Sequence, residues 1–249
     1  MKALVTGASS GIGRDMARYL SKLGYDLIIV AQREQRLIEL KEELQTSVEI
    51  ISMDLSKAEN CIELYEKVKK QEIDLLVNNA GFGMFGNFET TDLSKEIKLI
   101  NTNITAVHIL TKLFLKDMKK RNSGRILNVA SIAAFSPGPL MAAYYSSKSY
   151  VLRLSQSIYK ELKKAKSNVH ISVLCPGPVA TEFNDVAGVH FSLKPLSSEY
   201  VAKYAIDNTL KNKQIIVPGF LNKILRILSK LSPSNLSSEV VYHNQTRKK

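Results

Sequence analysis

Cysteine is scarce in this chain: Cys61 and Cys175 are the two among 249 residues. They form no CxxC pair and are too few for a disulfide framework, which favours a reducing, cytoplasmic setting. Histidine is sparse as well, and His108, His170, His190 and His243 lack metal-ligand spacing, so no metal site is expected. No uninterrupted apolar stretch reaches the roughly 18 residues that a membrane-spanning helix requires. A strand-like run, Lys2 to Val5, follows Met1 at once and leaves no room for the charged leader and apolar segment of a secretion signal. Neither secretion nor membrane spanning is expected. Low-complexity tracts are absent too, and nothing in the composition marks a joint between domains.

Acidic residues are in deficit, with 23 Asp and Glu against 35 Lys and Arg and a formal charge of +12. A positive field draws anions. Much of it, however, is lysine at helical spacing, as in Lys67, Lys69, Lys70, Lys116, Lys119, Lys120, Lys163, Lys164 and Lys166, which reads as solvated helix faces. No nucleic-acid recognition motif accompanies the charge, and no nucleic-acid partner is expected.

What is present is a regular alternation. Short β-branched or aliphatic runs alternate with longer amphipathic stretches, the pattern of βαβ units and so of a parallel sheet covered on both faces. The expected strands are Lys2 to Thr6, Asp26 to Ala31, Val48 to Met53, Asp74 to Asn78, Gly124 to Ala130, Val169 to Cys175 and Gln214 to Val217. Helices are expected over Ile12 to Leu23, Glu34 to Leu44, Glu59 to Lys70, Leu93 to Arg121, Tyr144 to Ala165 and Ser198 to Lys211. Gly24 stands where it can end the first helix, and Ser56 where it can cap the third. A final segment, Phe220 to Leu231, sets Leu221, Ile224, Leu225, Leu228 and Leu231 at helical spacing opposite Lys223, Arg226 and Lys230. Its stripe is expected to cover the domain or a partner subunit in preference to a membrane surface. Asn244 to Lys249 read as a frayed tail.

Three separated fragments carry chemistry. Thr6-Gly7-Ala8-Ser9-Ser10-Gly11-Ile12-Gly13 joins the first strand to the first helix, where glycines permit a tight turn and bare N–H groups with the helix dipole favour phosphate. Asn78-Asn79-Ala80-Gly81 follows the fourth strand and can flank a nucleotide. Tyr144 and Lys148, four residues apart, share one helix face. A neighbouring ammonium lowers an acid's pKa by about 1 to 3 units, so Lys148 is expected to make Tyr144 a usable proton exchanger. Tyr145 is a rival for that role. Ser131 ends the fifth strand at the carboxyl edge of the sheet, where its hydroxyl can stabilise an oxyanion. A Ser-His-Asp hydrolase fails for want of a GxSxG elbow.

The TGxxxGxG spacing, with Asn78 to Gly81, Asn103, Ser131, Tyr144-x-x-x-Lys148 and Pro176-Gly177-Pro178-Val179-Ala180-Thr181, resembles the short-chain dehydrogenase/reductase family over about the first 220 residues. That resemblance implies one Rossmann-like α/β domain, residues 1–219, with 220–249 as its C-terminal helix and tail. It implies hydride exchange between a nicotinamide and a carbonyl or alcohol, with the oxidised nicotinamide ring adding its positive charge to that of Lys148 beside Tyr144. Asn103, Ser131, Tyr144 and Lys148 would be the catalytic set, Asn103 kinking its helix and holding a water that links Lys148 to solvent; Asn101 is the neighbouring register. Gly7, Ser9, Ser10, Gly11, Ile12, Gly13, Leu55, Asn79, Ala80, Gly81, Pro176 and Gly177 would contact the cofactor with Tyr144 and Lys148, the lysine on the ribose and Val179 and Thr181 on the carboxamide. Asp54 would touch the adenine edge, or else cap the turn in which it stands. At the end of strand two, Ala31-Gln32-Arg33 offers no acid to repel a 2′-phosphate and does offer a cation, so NADP is expected ahead of NAD. Otherwise Arg33 merely begins a solvated helix. A homodimer or homotetramer through Leu93 to Arg121 and Tyr144 to Ala165 is also implied.

Residues after strands four, five and six, namely Phe82, Met84, Phe85, Phe135, Leu140, Met141, Phe183, Val189 and Phe191, suggest an apolar pocket and an apolar ketone or 3-oxoacyl-type substrate. The stretch Phe183 to Leu196 has the irregularity of a lid. A catalytically silent nucleotide sensor or an interaction module on the same scaffold are the competing readings.

Overall fold

The computed structural model describes residues 1–183, 187–188 and 195–246. Its main sheet contains β1 (Lys2–Thr6), β2 (Asp26–Ala31), β3 (Val48–Ser52), β4 (Leu75–Asn78), β5 (Arg125–Val129), β6 (His170–Leu174) and β9 (Ile215–Ile216). The order is β3-β2-β1-β4-β5-β6-β9 and every pair is parallel. The seven expected strands are therefore one sheet. The remaining pair, β7 (Val179–Ala180) and β8 (Leu196–Ser197), forms a small separate sheet that strand-length reasoning could not reach.

Alternation along the central strands explains the layering. Val5 and Ile29 point to one face, against Met16 and Leu20 of α1 (Gly11–Lys22) and Leu37 of α2 (Glu34–Glu43). Leu4 and Ile28 point to the other, against Leu64 of α3 (Ala58–Val68) and Phe114 of α5 (Val107–Arg121). Strands buried on both faces read as continuous aliphatic runs, as these do. The chain runs outward from β1 to β3 and then returns to place β4 on β1's other side. That reversal opens a crevice at the carboxyl ends of β1 and β4, where open α/β sheets bind ligands.

Helix ends obey local chemistry. After α1, Gly24 takes φ 81°, and the N–H groups of Gly24 and Tyr25 donate to the carbonyls of Ser21 and Leu20, closing a Schellman motif. The expected cap at Ser56 is not made: α3 starts at Ala58 after Lys57, with no side-chain cap, and the Ser56 N–H donates to Asp54 at 2.9 Å. The expected helix from Leu93 to Arg121 is α4 (Leu93–Ile100), a π-helical turn (Asn101–Ala106) and α5 in one run. Asp92 caps its start by accepting from the N–H groups of Ser94 and Lys95.

The long helix α6 (Ala142–Lys164) begins two residues before Tyr144, and α7 (Ser198–Leu210) packs on α1. Two more helices follow, α8 (Phe220–Leu231) and α9 (Ser234–Thr246). Here the frayed-tail expectation fails: Asn244, Gln245 and Thr246 complete α9, and Gln245 is buried. The rest of the expected tail, residues 247–249, lies outside the described residues. No helix among the described residues is long and apolar enough to cross a membrane.

Candidate active site

The crevice is built first by β1 and β4. The Thr6 hydroxyl accepts from the N–H groups of Asn79 and Ala80, at 3.0 and 3.1 Å, and donates to the Val77 carbonyl at 3.3 Å. The Asn79 amide donates to the carbonyls of Thr6 and Gly7, at 3.0 and 3.1 Å. The two strand ends are thus tied together by side chains. Thr6 belongs to the motif, but sequence reasoning did not assign it this role. Gly7 has φ 66°, and a Cβ there would lie 2.8 Å from the Ala80 Cα, so only glycine lets the loop pass this close. Ser10 precedes α1 without a side-chain cap, and no acid stands in the first turn. Among the described residues, the first N–H groups of α1 have no side-chain cap, which leaves them open to an anion as helix N-termini commonly are.

At the end of β2, Arg33 folds back over this loop. Its guanidinium donates to Ser10 Oγ at 2.9 Å and to Ser9 Oγ at 3.2 Å, and pairs with Glu182 at 2.8 Å. Arg36 approaches the same carboxylate at 3.7 Å. The Arg33 hydrogen bond, with the charges of Arg33 and Arg36, holds the Glu182 carboxyl below its ordinary range. Glu182 was not singled out from sequence, where it is an unremarkable acid after Thr181. Gln32 donates to Asp54 at 2.7 Å, which also receives the Ser56 N–H and faces Lys98 at 3.8 Å. Burial works against the Asp54 charge, but the Ser56 hydrogen bonds and the lysines hold its pKa down. Asp54 holds its own turn through the Ser56 N–H, and Leu55 lines the cavity.

The third group lies where β5 meets α6. Ser131 is buried at the head of a 3-10 turn (Ile132–Phe135) and accepts from the Ala133 N–H at 3.1 Å. Its hydroxyl donates to the Pro176 carbonyl at 3.4 Å and lies on the Tyr144 side of the site, where it favours the phenolate. Lys148 donates to the Val129 carbonyl at 3.0 Å, and its Nζ stands 5.8 Å from the Tyr144 ring centroid. Lys148 by itself does not make this phenol acidic. Burial penalises the phenolate and pushes the Tyr144 pKa up, with Ser131 opposing only in part. The same burial brings Lys148 down to about 8. The pair is a neutral phenol beside a weakened ammonium.

Of the two asparagine registers, Asn103 is the one more deeply buried. It is fully buried in the π-helical turn, accepts from the Phe82 N–H at 3.1 Å, and donates to the Phe82 carbonyl at 2.9 Å and to Ser147 Oγ at 3.1 Å. Ser147 in turn donates to the Tyr144 carbonyl at 2.7 Å, so Asn103 braces the helix turn between Tyr144 and Lys148. Asn101 begins the same turn and is half-buried. Tyr145 is turned to another partner, accepting from Gln245 Nε2 at 3.0 Å.

A single cavity of about 1440 Å³ joins these groups. Gly7, Ser9, Ser10, Gly11, Ile12, Gln32, Arg33, Leu55, Asn79, Ala80 and Gly81 line one end; Ser131, Tyr144, Lys148, Pro176, Gly177, Val179 and Thr181 line the middle. Gly13 and Asn103 stand behind the wall, Gly13 because its position is filled by Asn79 and the Gly7 carbonyl. Of the residues expected on the substrate side, Phe82, Phe135, Met141 and Phe183 line the cavity. Met84 and Phe85 pack behind it with Leu99 and Tyr144, and Leu140, at φ 64°, is not part of the lining. Val189 and Phe191, like His190 and most of the expected lid, lie outside the described residues. The far wall comes from helices that sequence reasoning did not place at the site: Leu221, Leu225, Arg226 and Leu228 of α8, and Leu236, Val240 and Gln245 of α9. The stripe of Phe220 to Leu231 was the available signal for the first of these.

Comparison with known proteins agrees with this arrangement. A family model described as short chain dehydrogenase matches residues 1–188. An uncharacterized oxidoreductase of Staphylococcus epidermidis is 32% identical over 185 residues, covering 74% of this chain and 80% of the relative. The very-long-chain 3-oxoacyl-CoA reductase of Anas platyrhynchos is 31% identical over 211 residues, 80% of this chain and 66% of the relative. Among solved structures, a short-chain dehydrogenase from Sphingobium yanoikuyae in complex with NADPH superposes with a TM-score of 0.81 at 27% identity, covering 88% of each chain. One from Burkholderia phymatum in complex with NAD gives 0.79 at 25% identity, covering 87% of this chain and 88% of that one.

Proposed function

The chain belongs to the short-chain dehydrogenase family, a nicotinamide-dependent oxidoreductase acting on alcohol and carbonyl groups, and from that premise we propose that it is an NADP-dependent reductase of apolar ketones or 3-oxoacyl compounds. The observation that carries the reading is the convergence of the uncapped α1 terminus, the Ser131–Tyr144 pair and Lys148 on one cavity.

The residues fit a dinucleotide. Gly7 leaves room that a side chain would fill, and the start of α1 offers N–H groups to a pyrophosphate. Arg33 with Ser9 and Ser10 forms a cationic, hydroxyl-bearing nest suited to a 2′-phosphate, and no acid stands at Ala31 or Gln32 to repel it. Thr181 and Val179 take the carboxamide, and Lys148 the ribose hydroxyls. A bound nicotinamide supplies the hydride.

The remaining work falls to side chains. Ser131 donates a hydrogen bond to the substrate oxygen as negative charge grows there. Tyr144 gives its phenolic proton to that oxygen, and the Lys148 ammonium near its ring assists by stabilising the phenolate left behind. In the oxidative direction the phenolate takes the proton back. Asn103 fixes Tyr144 and Lys148 relative to the loop after β4 and holds the water that connects Lys148 to solvent. The apolar walls and the size of the cavity favour a hydrophobic carbonyl compound, as does similarity to a 3-oxoacyl-CoA reductase.

Residues 1–219 form the binding and catalytic body, with 220–249 belonging to the same domain. Exposed Leu93, Ile97 and Tyr150 on the two long helical runs suit a homodimer or homotetramer. The setting we infer is cytoplasmic. A panel of ketones, 3-oxoacyl thioesters and polyols, run with NADPH and NADH, tests the reading. Apolar ketones or oxoacyl compounds should turn over, with kcat/KM for NADPH at least about tenfold above NADH, the scale of one charge-assisted phosphate contact. Turnover of polyols alone, a preference for NADH, or cofactor binding without any turnover would overturn it.

A further inference from the structure

Four cationic side chains line the cavity, Arg33, Lys98, Lys148 and Arg226, against a single carboxylate among the described lining residues, Glu182. Three of the four have partners. Arg33 pairs with Glu182 at 2.8 Å, Lys98 faces Asp54 at 3.8 Å, and Lys148 donates to the Val129 carbonyl at 3.0 Å. Arg226 stands apart on the opposite wall. Among the described residues no carboxylate lies within ion-pair distance of it and no acceptor takes its guanidinium protons.

What holds Arg226 in place is a ring. Its guanidinium carbon is 5.7 Å from the centroid of Phe135, the last residue of the turn that Ser131 begins. Its charge also reaches Cys175 at the end of β6, where it opposes the effect of burial on that buried thiol. The cation therefore lies on the wall that faces the turn begun by Ser131, over Phe135 at that turn's far end. Its helix neighbours on the lining, Leu221, Leu225 and Leu228, are apolar. A guanidinium half-buried among apolar side chains interacts with an anion more strongly than one in open water, and its planar fork matches carboxylate or phosphate oxygens.

We propose that Arg226 anchors an anionic group of the substrate, so that the preferred substrate is a carbonyl compound bearing a carboxylate or a phosphate at the far end of an apolar segment. This rests on the carbonyl-reductase reading of the same cavity. The apolar walls hold the body of the molecule, Ser131 and Tyr144 take its carbonyl, and Arg226 sets how far along the chain the carbonyl stands.

Two matched pairs test it with NADPH fixed: a keto acid against its methyl ester, and a 3-oxoacyl thioester of a phosphate-bearing thiol against that of a neutral thiol. In the unmodified enzyme kcat/KM for the anionic member of at least one pair should exceed its neutral partner by about tenfold or more, in the range of a buried charge pair across an interface. Arg226→Gln should bring the anionic compound down to the level of the neutral one, and Arg226→Lys should restore part of the preference. The neutral compounds, turned over by every variant, report that the fold is kept. If the preference is confined to one pair, that pair names the anion. An enzyme that turns over both pairs without distinguishing their members, or a preference that survives Arg226→Gln, overturns the anchor alone. An unmodified enzyme that turns over none of the four removes the reductase reading and the anchor with it.

Discussion

A phenol buried away from water is a poor anion and gives up its proton only with help from its neighbours. Tyr144 sits in that condition, with Ser131 favouring its phenolate and the Lys148 ammonium near its ring. The four-residue spacing in the sequence places the two side chains on one face, but it says nothing of how deeply they lie. Desolvation decides the sign of both shifts, raising the tyrosine and lowering the lysine to about 8. Glu182 is a second case in which residue type alone was uninformative. It takes its meaning from a fold that brings residue 182 to Arg33, where its carboxylate occupies the same guanidinium that a 2′-phosphate would engage. Glu182→Gln should raise kcat/KM for NADPH about twofold to fivefold, since partly exposed ion pairs are worth roughly 0.2 to 1 kcal/mol. The NADH value should stay put. Equal gains with both cofactors, measured by initial rates, would show that Glu182 does not compete with the phosphate.

Elements were legible where burial imposes a pattern. The strands of the sheet interior are continuous aliphatic runs because both faces are covered, and their expected limits fall within a residue or two of the observed ones. The π-helical turn was legible only as the helix kink that the family resemblance implies at Asn103. Asn101 to Ala106 carry an ordinary helical pattern, and within the turn Asn103 is bonded to Phe82 and Ser147. Helix α9 was not legible, for its polar sequence, Ser234 to Thr246, gives no strong apolar stripe. It is held by contacts from far along the chain, above all the bond from Gln245 Nε2 to Tyr145 at 3.0 Å. Gln245→Leu would strip the half-buried Tyr145 hydroxyl of its donor, at a cost of about 1 kcal/mol. Thermal unfolding should shift down by a few degrees and KM for the carbonyl substrate should rise, while NADPH binding, whose site lies at the other end of the cavity, is unchanged. An unaltered melting curve and KM would mean that α9 is not fastened there.

At the scale of the molecule, the strand order does the positioning. Crossing back from β3 to β4 brings the glycine loop, Asn79 and the end of β5 to one edge of the sheet, so residues 7, 79, 131 and 144 share a cavity despite their separation in the chain. That convergence was readable from motif order, because alternating βα units allow few other arrangements. The roof formed by α8 and α9 was not, since no periodicity tells a helix which part of a finished sheet it will cover. The account stands on Tyr144 as the proton donor in a site that binds its cofactor independently. The direct measurement is carbonyl reduction by Tyr144→Phe, alongside calorimetric titration with NADPH. Turnover should fall by more than about a hundredfold with the NADPH affinity held within a few-fold, as expected for loss of a positioned general acid. Near-normal turnover in the phenylalanine variant would contradict it.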